Sequence, residues 1–155
     1  MLYRPFAPED FDLLYALEEA CFEPPNRFSR RMMRQLVNRV NAATWIAEEA
    51  GQMAGFAIVE WNQEPDEVIA YIQTIEVAQE YRGCGVGREL LRHIEGSARD
   101  AGACRIWLHV EAANAGAIRL YEVHGYLCEG RKENYYPLGQ AALIYGKRLN
   151  VKAKS

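Results

Sequence analysis

The segment Arg82-Gly83-Cys84-Gly85-Val86-Gly87 decides how this 155-residue sequence is interpreted, because it joins a β-rich stretch to a helical one. Residues 68–77 before it are rich in β-branched residues, and residues 86–101 after it repeat apolar residues at helical spacing. A glycine-rich turn that opens a helix can direct several backbone N–H groups at one anion, and the helix dipole adds about half a positive charge there. The segment therefore predicts a phosphate-binding loop.

Glycines at positions 83, 85 and 87 suit such a loop, because a side chain there would hold a phosphate away from the backbone donors or require a strained positive φ. A P-loop fits less well, since Arg88 and Glu89 follow where a Gly-Lys-Ser/Thr ending is needed. A dinucleotide-binding fold would place its glycines early in a parallel sheet, whereas antiparallel strands are predicted before this loop. A tight glycine turn without a ligand is the remaining alternative.

The rest of the sequence predicts a mixed α+β sheet of about seven strands with four helices. It forms one domain over residues 1–150, followed by a short C-terminal tail at residues 151–155. The strand before the glycine loop and the strand after its helix form a β-α-β unit, so they should lie parallel and adjacent. The predicted strands are residues 44–48, 53–61, 68–77, 104–110, 126–131 and 141–149. The predicted helices are residues 8–21, 29–40, 86–101 and 114–125.

Each of the first two helices carries an apolar stripe at three- and four-residue spacing. The stripe of the first helix comprises Phe11, Leu14, Leu17 and Cys21. Ser29 can cap the second helix, whose predicted buried residues are Met33, Leu36, Val37 and Val40. The arginines of that helix should lie outward, either as a solvated face or as a docking surface for an acidic partner: Arg30, Arg31, Arg34 and Arg39.

Composition narrows the function classes. The formal net charge of -3 argues against a protein whose main function is to bind nucleic-acid phosphates. The four cysteines form no Cys-x-x-Cys pair, and the three histidines show no ligand spacing beside them, which argues against a metal site. No apolar run approaches the roughly 18 residues of a membrane span. We expect a cytoplasmic protein that is a monomer or a weak homodimer, without nucleic-acid or membrane partners.

Two motifs resemble the GNAT acetyltransferase superfamily. Arg82, Gly85 and Gly87 match its Arg/Gln-x-x-Gly-x-Gly/Ala motif, and residues 114–126 are similar to its Asn-x-x-Ala-x-x-Leu-Tyr-x-x-x-Gly-Phe/Tyr segment. The order of the predicted elements agrees over nearly the whole chain. The resemblance implies a GNAT-like three-layer fold that binds acetyl-CoA as co-substrate and needs no metal.

A shorter segment, Asn134-Tyr135-Tyr136-Pro137, resembles the substrate-side loop of protein N-terminal acetyltransferases, including the ribosomal-protein alanine (RimI-like) enzymes. The bacterial branch usually has Glu five residues before the helix-opening Asn, where this sequence has His109. Leu108-His109-Val110 and Tyr71 are instead similar to a eukaryotic branch of these enzymes. The resemblance implies acetylation of an N-terminal α-amine and leaves the exact substrate open.

The family's binding mode implies where acetyl-CoA would lie. The strands that carry residues 71 and 109 would splay apart, and the backbone of residues 75–77 would pair with the pantetheine arm. Cys84 lies in the loop without a neighbouring His or acid in the sequence, so it is interpreted as incidental rather than as a nucleophile. The expected cofactor-binding residues are Ile75, Glu76, Val77, Arg82, Gly83, Cys84, Gly85, Val86, Gly87, Arg88, Asn114 and Tyr121.

Acyl transfer from a thioester to an amine needs a neutral amine, a stabiliser for the oxyanion and an acid for the departing thiolate. His109, with an ordinary pKa near 6.5, can accept the proton of the amine directly or through a water. Tyr71 is expected to position that water, because a phenol pKa near 10 makes a poor sole base. By resemblance, Tyr121 is the general acid, and a backbone N–H near Val77 would stabilise the oxyanion.

Two carboxylates compete with His109 as the base. Glu111 lies on the same strand face as His109 by alternation, together with Trp107. Glu76 should face away from Tyr71, unless a β-bulge turns the strand.

The expected acceptor is a protein or peptide N-terminal amine. At pH 7 an α-amine costs only about 1 kcal/mol to deprotonate, whereas a lysine costs roughly 4 to 5. A small-molecule amine and a non-catalytic acyl-CoA-binding module are the alternatives. The expected substrate-binding residues are Phe22, Pro25, Phe28, Tyr135 and Tyr136. For Phe22 and Phe28, packing on the core is nearly as good an interpretation, because aromatic residues usually belong to the core.

Overall fold

Seven strands and four α-helices follow one another along residues 1–150, the part of the chain that this computed structural model describes. The predicted tail at residues 151–155 lies outside the described residues. The elements are β1 (Leu2–Pro5), α1 (Phe11–Cys21), α2 (Arg30–Asn38), β2 (Ala42–Glu49), β3 (Gln52–Gln63), β4 (Val68–Val77), α3 (Val86–Asp100), β5 (Ala103–Glu111), α4 (Ala115–Val123), β6 (Leu127–Lys132) and β7 (Ala142–Arg148).

The strands form one sheet in the order β1-β2-β3-β4-β5-β7-β6, and the predicted mixed α+β fold is confirmed. Strands β4 and β5 are parallel, as the β-α-β pattern predicts, and every other neighbouring pair is antiparallel. Strand β1 has no counterpart among the predicted strands. Its four residues are too few to show strand alternation, so its pairing with β2 stabilises it rather than its own sequence.

The helices cover both faces of the sheet. Helix α3 buries Leu90, Leu91, Ile94 and Ala98 against one face, as predicted. Helices α1 and α2 form a second core on the other face, which contains Phe56 and Ile58 of β3. The sheet therefore lies between two helical layers.

Helix α2 departs from its predicted stripe at one position. Ser29 caps the helix through its hydroxyl, which accepts a hydrogen bond from the Met32 N–H, and Met33 and Leu36 are buried as predicted. The prediction for Val40 is wrong, because this side chain is 99% exposed. The helix ends at Asn38 with an extended residue after it, so Val40 no longer follows the helical stripe.

A β-bulge in β4 decides which side chains share a face near the end of that strand. Ile58 of β3 pairs with Thr74, whereas Val59 pairs with Ile72, so one extra residue of β4 lies between them. Strand alternation without a bulge would have put Glu76 and Tyr71 on opposite faces. With the bulge, both point toward the face that α1 covers. Glu76 therefore meets the condition given above for a candidate base, which was a β-bulge that turns this strand.

The end of β4 also packs tightly against β3. A Cβ atom at Gly55 would lie 2.5 Å from the Glu76 carbonyl oxygen, which belongs to paired backbone and cannot swing away. We expect Gly55→Ala to lower the free energy of unfolding by about 1–3 kcal/mol, because overpacking forces the two strands apart. Denaturant unfolding measures this free energy. Gly96→Ala is the control, since a Cβ there meets no atom within 4 Å. Equal unfolding free energies for the two variants would contradict this close approach.

Candidate active site

The parallel strands β4 and β5 separate before either of them ends. Their last paired residues are Tyr71 and Trp107, although β4 continues to Val77 and β5 to Glu111. On its other side, β4 remains paired with β3 as far as Val77. The backbone of residues 75–77 therefore has one free edge, which faces the gap between the two strands.

A cavity of about 770 Å³, called here the large cavity, extends from this gap along the glycine loop. It is lined by the end of β4, the loop, the start of α3, and α4. Every predicted cofactor-binding residue except Cys84 lines it. The thiol of Cys84 is exposed and lies 3.7 Å from the Arg82 carbonyl oxygen.

The glycine loop has the backbone geometry that its sequence predicts at two positions. Gly83 and Gly85 have φ values of 78° and 84°, in the left-handed region that disfavours side chains. Gly85 is also the residue before α3, so the free N–H groups of the first helical turn lie beside the large cavity. Arg82 anchors the loop, since its Nε donates to the Val77 carbonyl oxygen at 3.1 Å.

The large cavity suits an elongated polyanion. Basic side chains contribute to its lining from the loop, α3 and α4: Arg82, Arg88, Arg119 and His124. Together with the free strand edge and the N-terminus of a 15-residue helix, they fit a group with a phosphate end and an amide-bearing arm. These residues therefore fit acetyl-CoA.

A second cavity of about 170 Å³, called here the small cavity, lies between β4, β5 and the segment 22–28. Tyr121 lines both cavities, so they meet at its side chain. The other residues common to both are Phe22, Ile75, Asn114 and Ala117. Asn114 caps α4, since its side-chain oxygen accepts from the Ala117 N–H.

Two of the predicted catalytic residues are hydrogen-bonded to each other. Tyr71 Oη lies 2.8 Å from His109 Nδ1, and Tyr135 Oη lies 3.4 Å from the same nitrogen. His109 Nε2 is buried and has no hydrogen-bond partner among the described residues. Burial, with a smaller effect of the Lys132 charge, lowers the pKa of His109. The imidazole is therefore neutral at pH 7 and can accept a proton.

Tyr121 is 5% exposed and packs edge-on against Tyr126. Burial raises the pKa of Tyr121, so its phenol keeps its proton at neutral pH. Burial likewise raises the pKa of Tyr71. Both phenols are consequently potential proton donors and not bases.

The predicted substrate-binding residues are distributed unevenly around the small cavity. Phe22, Phe28 and Tyr136 line it. The ring centroids of Tyr135 and His109 lie 4.3 Å apart. Phe28 also packs against the core between α1 and α2, so both interpretations of this residue apply. Pro25 is exposed and lines neither cavity.

The competing bases differ in their surroundings. Glu111 lines the small cavity, as does His109. Glu76 is buried beside Glu18 of α1, and burial together with a hydrogen bond to Glu18 raises the pKa of Glu76 well above its usual range. These surroundings favour the protonated carboxyl, which cannot accept a proton, so Glu76 is a poorer candidate base than His109.

Sequence reasoning missed four polar residues of the small cavity: Glu18, Asn26, Gln73 and Thr74. Gln73 and Thr74 lie at the bulge, which the sequence alone does not locate. For Glu18 a signal was present, because it follows Phe11 by seven residues and Leu14 by four, which puts it on the apolar stripe of α1. A carboxylate on a buried stripe indicates a buried partner.

Comparison with known proteins agrees with this geometry. Residues 11–126 match the family described as acetyltransferase (GNAT). The chain is 42% identical over 90 residues to streptothricin acetyltransferase from Streptomyces lavendulae, covering 56% of this chain and 45% of that protein. It is 39% identical over 87 residues to the ribosomal protein bS18-alanine N-acetyltransferase of Escherichia coli K12, covering 56% of each. This chain thus spans about half the length of these two relatives.

Other similarities extend over almost the whole chain. A putative bS18-alanine N-acetyltransferase from Bacillus subtilis is 30% identical over 143 residues, which cover 92% of this chain and 91% of that protein. The crystal structure of the Escherichia coli S18-alanine enzyme superposes with a TM-score of 0.82 at 26% identity, covering 99% and 98% of the two chains. Arabidopsis thaliana NAA60 with a bisubstrate analogue shares the fold, with a TM-score of 0.84 at 21% identity over 97% and 99%. The chain therefore belongs to the GNAT family of acetyltransferases.

Proposed function

We propose that this acetyltransferase transfers the acetyl group of acetyl-CoA to the N-terminal α-amine of a protein or peptide, by direct attack in a ternary complex. The observation that carries the proposal is the meeting of the two cavities at Tyr121. One cavity fits acetyl-CoA, and the other brings the His109–Tyr71 hydrogen bond beside an aromatic rim. A donor and an acceptor can thus be held together without a covalent enzyme intermediate.

When bound, acetyl-CoA supplies the acetyl group as an activated thioester. The loop glycines and the first turn of α3 would hold its pyrophosphate, and the free edge of residues 75–77 would pair with its pantetheine arm. A backbone N–H at that edge would stabilise the oxyanion.

His109 is proposed as the base. With its Nδ1 proton donated to the Tyr71 oxygen, Nε2 keeps a free lone pair and can take the amine proton directly or through a water. Tyr71 would fix the orientation of the imidazole and its tautomer. The lowered pKa of His109 favours the neutral form that this role requires.

Tyr121 is proposed as the acid. Its phenol lies where the cavities meet, and its raised pKa keeps the proton available for the departing thiolate. Protonation of the sulfur makes it a better leaving group when the tetrahedral intermediate collapses.

The choice of an α-amine has two supports. Relatives of this chain are named bS18-alanine N-acetyltransferases, and the Tyr135-Tyr136 segment resembles the substrate-side loop of protein N-terminal acetyltransferases. An α-amine also costs about 1 kcal/mol to deprotonate at pH 7, within the reach of a weak base such as His109.

A small-molecule amine is the second candidate acceptor. The observation that favours it is the 42% identity over 90 residues to streptothricin acetyltransferase, which exceeds the 39% identity to the bS18-alanine enzyme. The same chemistry would serve both acceptors, because the cavities supply a base and an acid without selecting the rest of the molecule.

Thiol release from acetyl-CoA distinguishes the two candidates. The panel contains short peptides with free N-termini, the same peptides blocked at the α-amine, and small amines that include streptothricin. We expect turnover with the free peptides and none with the blocked ones. Turnover with small amines alone would overturn the proposed acceptor, and CoA binding without any turnover would favour a non-catalytic module.

A further inference from the structure

Two buried carboxyl groups join α1 to β4 beside the small cavity. Glu18 is 0% exposed and Glu76 is 3% exposed. Thr74 Oγ1 donates to Glu76 Oε2 at 2.8 Å, and the Phe28 N–H donates to Glu18 Oε2 at 3.0 Å. Each carboxyl group thus has one oxygen bound to a donor, Glu76 within β4 and Glu18 from segment 22–28.

The other oxygen of each group, Oε1, is buried and lacks a donor among the described residues. The neighbouring Glu18 carboxyl helps to raise the pKa of Glu76, and two ionised carboxylates could not hydrogen-bond to each other. One proton shared between the groups satisfies both oxygens and leaves the pair with a single negative charge.

The titratable and charged groups near the pair include Tyr15 and Cys21 of α1 and Arg82 of the glycine loop. Arg82 Nη2 lies 3.8 Å from Cys21 Sγ. Within residues 1–150, no Lys or Arg forms an ion pair with Glu18 or Glu76. A second negative charge in the pair would therefore have no close cation to offset it.

The pair reaches the acceptor side of the site through Phe28. The Phe28 N–H bonds to Glu18, and its carbonyl oxygen accepts from Tyr15 Oη at 2.9 Å, so the residue is held on both sides. Segment 22–28 contributes Phe22, Asn26 and Phe28 to the lining of the small cavity. The Glu18 carboxyl therefore helps to hold this wall in place.

We propose that Glu18 and Glu76 are a positioning pair: the protonated carboxyl of Glu76 donates to the carboxylate of Glu18, which holds segment 22–28 in the shape that binds the acceptor. This inference rests on the proposed function, because it assigns the small cavity to the acceptor. The pair acts through Phe28 and takes no part in the transfer itself.

The pair should make acceptor binding weaker as the pH rises. A carboxyl whose folded pKa is raised contributes stability that is fully present below its unfolded pKa and is lost as the pH rises through the folded pKa. Above the raised pKa of Glu76, two adjacent buried carboxylates repel each other, and segment 22–28 should loosen.

Steady-state kinetics of the full chain across neutral and alkaline pH test the pair. Glu76→Gln keeps a donor toward Glu18 but cannot ionise, whereas Glu76→Ala removes the donor. We expect the ratio of the wild-type acceptor KM to that of Glu76→Gln to rise about tenfold with pH, as a charge-assisted hydrogen bond is lost. Taking this ratio cancels the ionisation of the acceptor amine. Glu76→Ala should have the raised acceptor KM at every pH.

Glu64→Gln, at an exposed position in the turn between β3 and β4, is the matched control and should follow the wild type. A ratio that stays constant with pH, or an acceptor KM at neutral pH that is the same in Glu76→Ala and Glu76→Gln, would overturn the proposal.

Hydrogen exchange separates this result from a failure of the proposed function, because it needs no substrate. The Phe28 amide should lose protection as the pH rises in the wild type and keep it in Glu76→Gln. The Arg27 amide, which donates to the Glu23 carbonyl oxygen in the same segment, is the internal reference. Equal pH dependence of Phe28 protection in both proteins would contradict the pair even if peptides prove not to be substrates.

Discussion

Tyr121→Phe is expected to lower kcat by about 100- to 1,000-fold, because general acid catalysis contributes rate factors of that size. The substitution removes only the phenol oxygen, and the ring still packs against Tyr126 where the two cavities meet. The KM for acetyl-CoA should therefore change little. Initial rates of thiol release at saturating acceptor and acetyl-CoA give kcat.

Tyr145→Phe is the control for this loss of a hydroxyl. Tyr145 is also buried, and its Oη donates to Glu122 rather than facing either cavity. Its kcat should stay close to that of the wild type. A kcat for Tyr121→Phe within threefold of wild type would show that the leaving thiolate needs no proton from this phenol.

His109→Phe is expected to lower kcat/KM by about 100-fold or more, since the imidazole is the proposed base. In the wild type, activity should fall as the pH drops through the pKa of His109, which burial holds below the ordinary value of 6.5. This limb should disappear in the variant. The limb due to ionisation of the acceptor α-amine, near pH 7.7–8.0, should remain in both proteins.

Glu111→Gln decides between the two bases that line the small cavity. Under the proposed mechanism it keeps the acid limb of the pH profile and most of the activity. A profile in which Glu111→Gln loses the limb and His109→Phe retains it would assign the base to Glu111.

The parts of the site that the sequence predicted are those encoded by local patterns. The glycine loop, the helix after it and the Asn114 cap each depend on residues a few positions apart, so their geometry follows from the order of residues. The parallel pairing of β4 and β5 also follows, because a β-α-β connection leaves few alternatives.

The parts that the sequence did not predict depend on contacts between distant segments. The β-bulge in β4 is set by its pairing with β3, and no residue type marks it. Glu18 and Glu76 are 58 positions apart in the numbering, so the two carboxyl groups come together only after α1 packs on β4. Val40 left its predicted stripe because the helix ended earlier than the apolar spacing indicated.

The most direct test of the proposed function uses one peptide that carries both a free N-terminus and a lysine side chain. The peptide is incubated with acetyl-CoA and the enzyme, and mass spectrometric fragmentation locates the acetyl group. Acetylation at the N-terminal α-amine alone is the predicted result, because its proton is the easier one for His109 to remove. Acetylation at the lysine, or an unmodified peptide under conditions in which a small amine is acetylated, would contradict it.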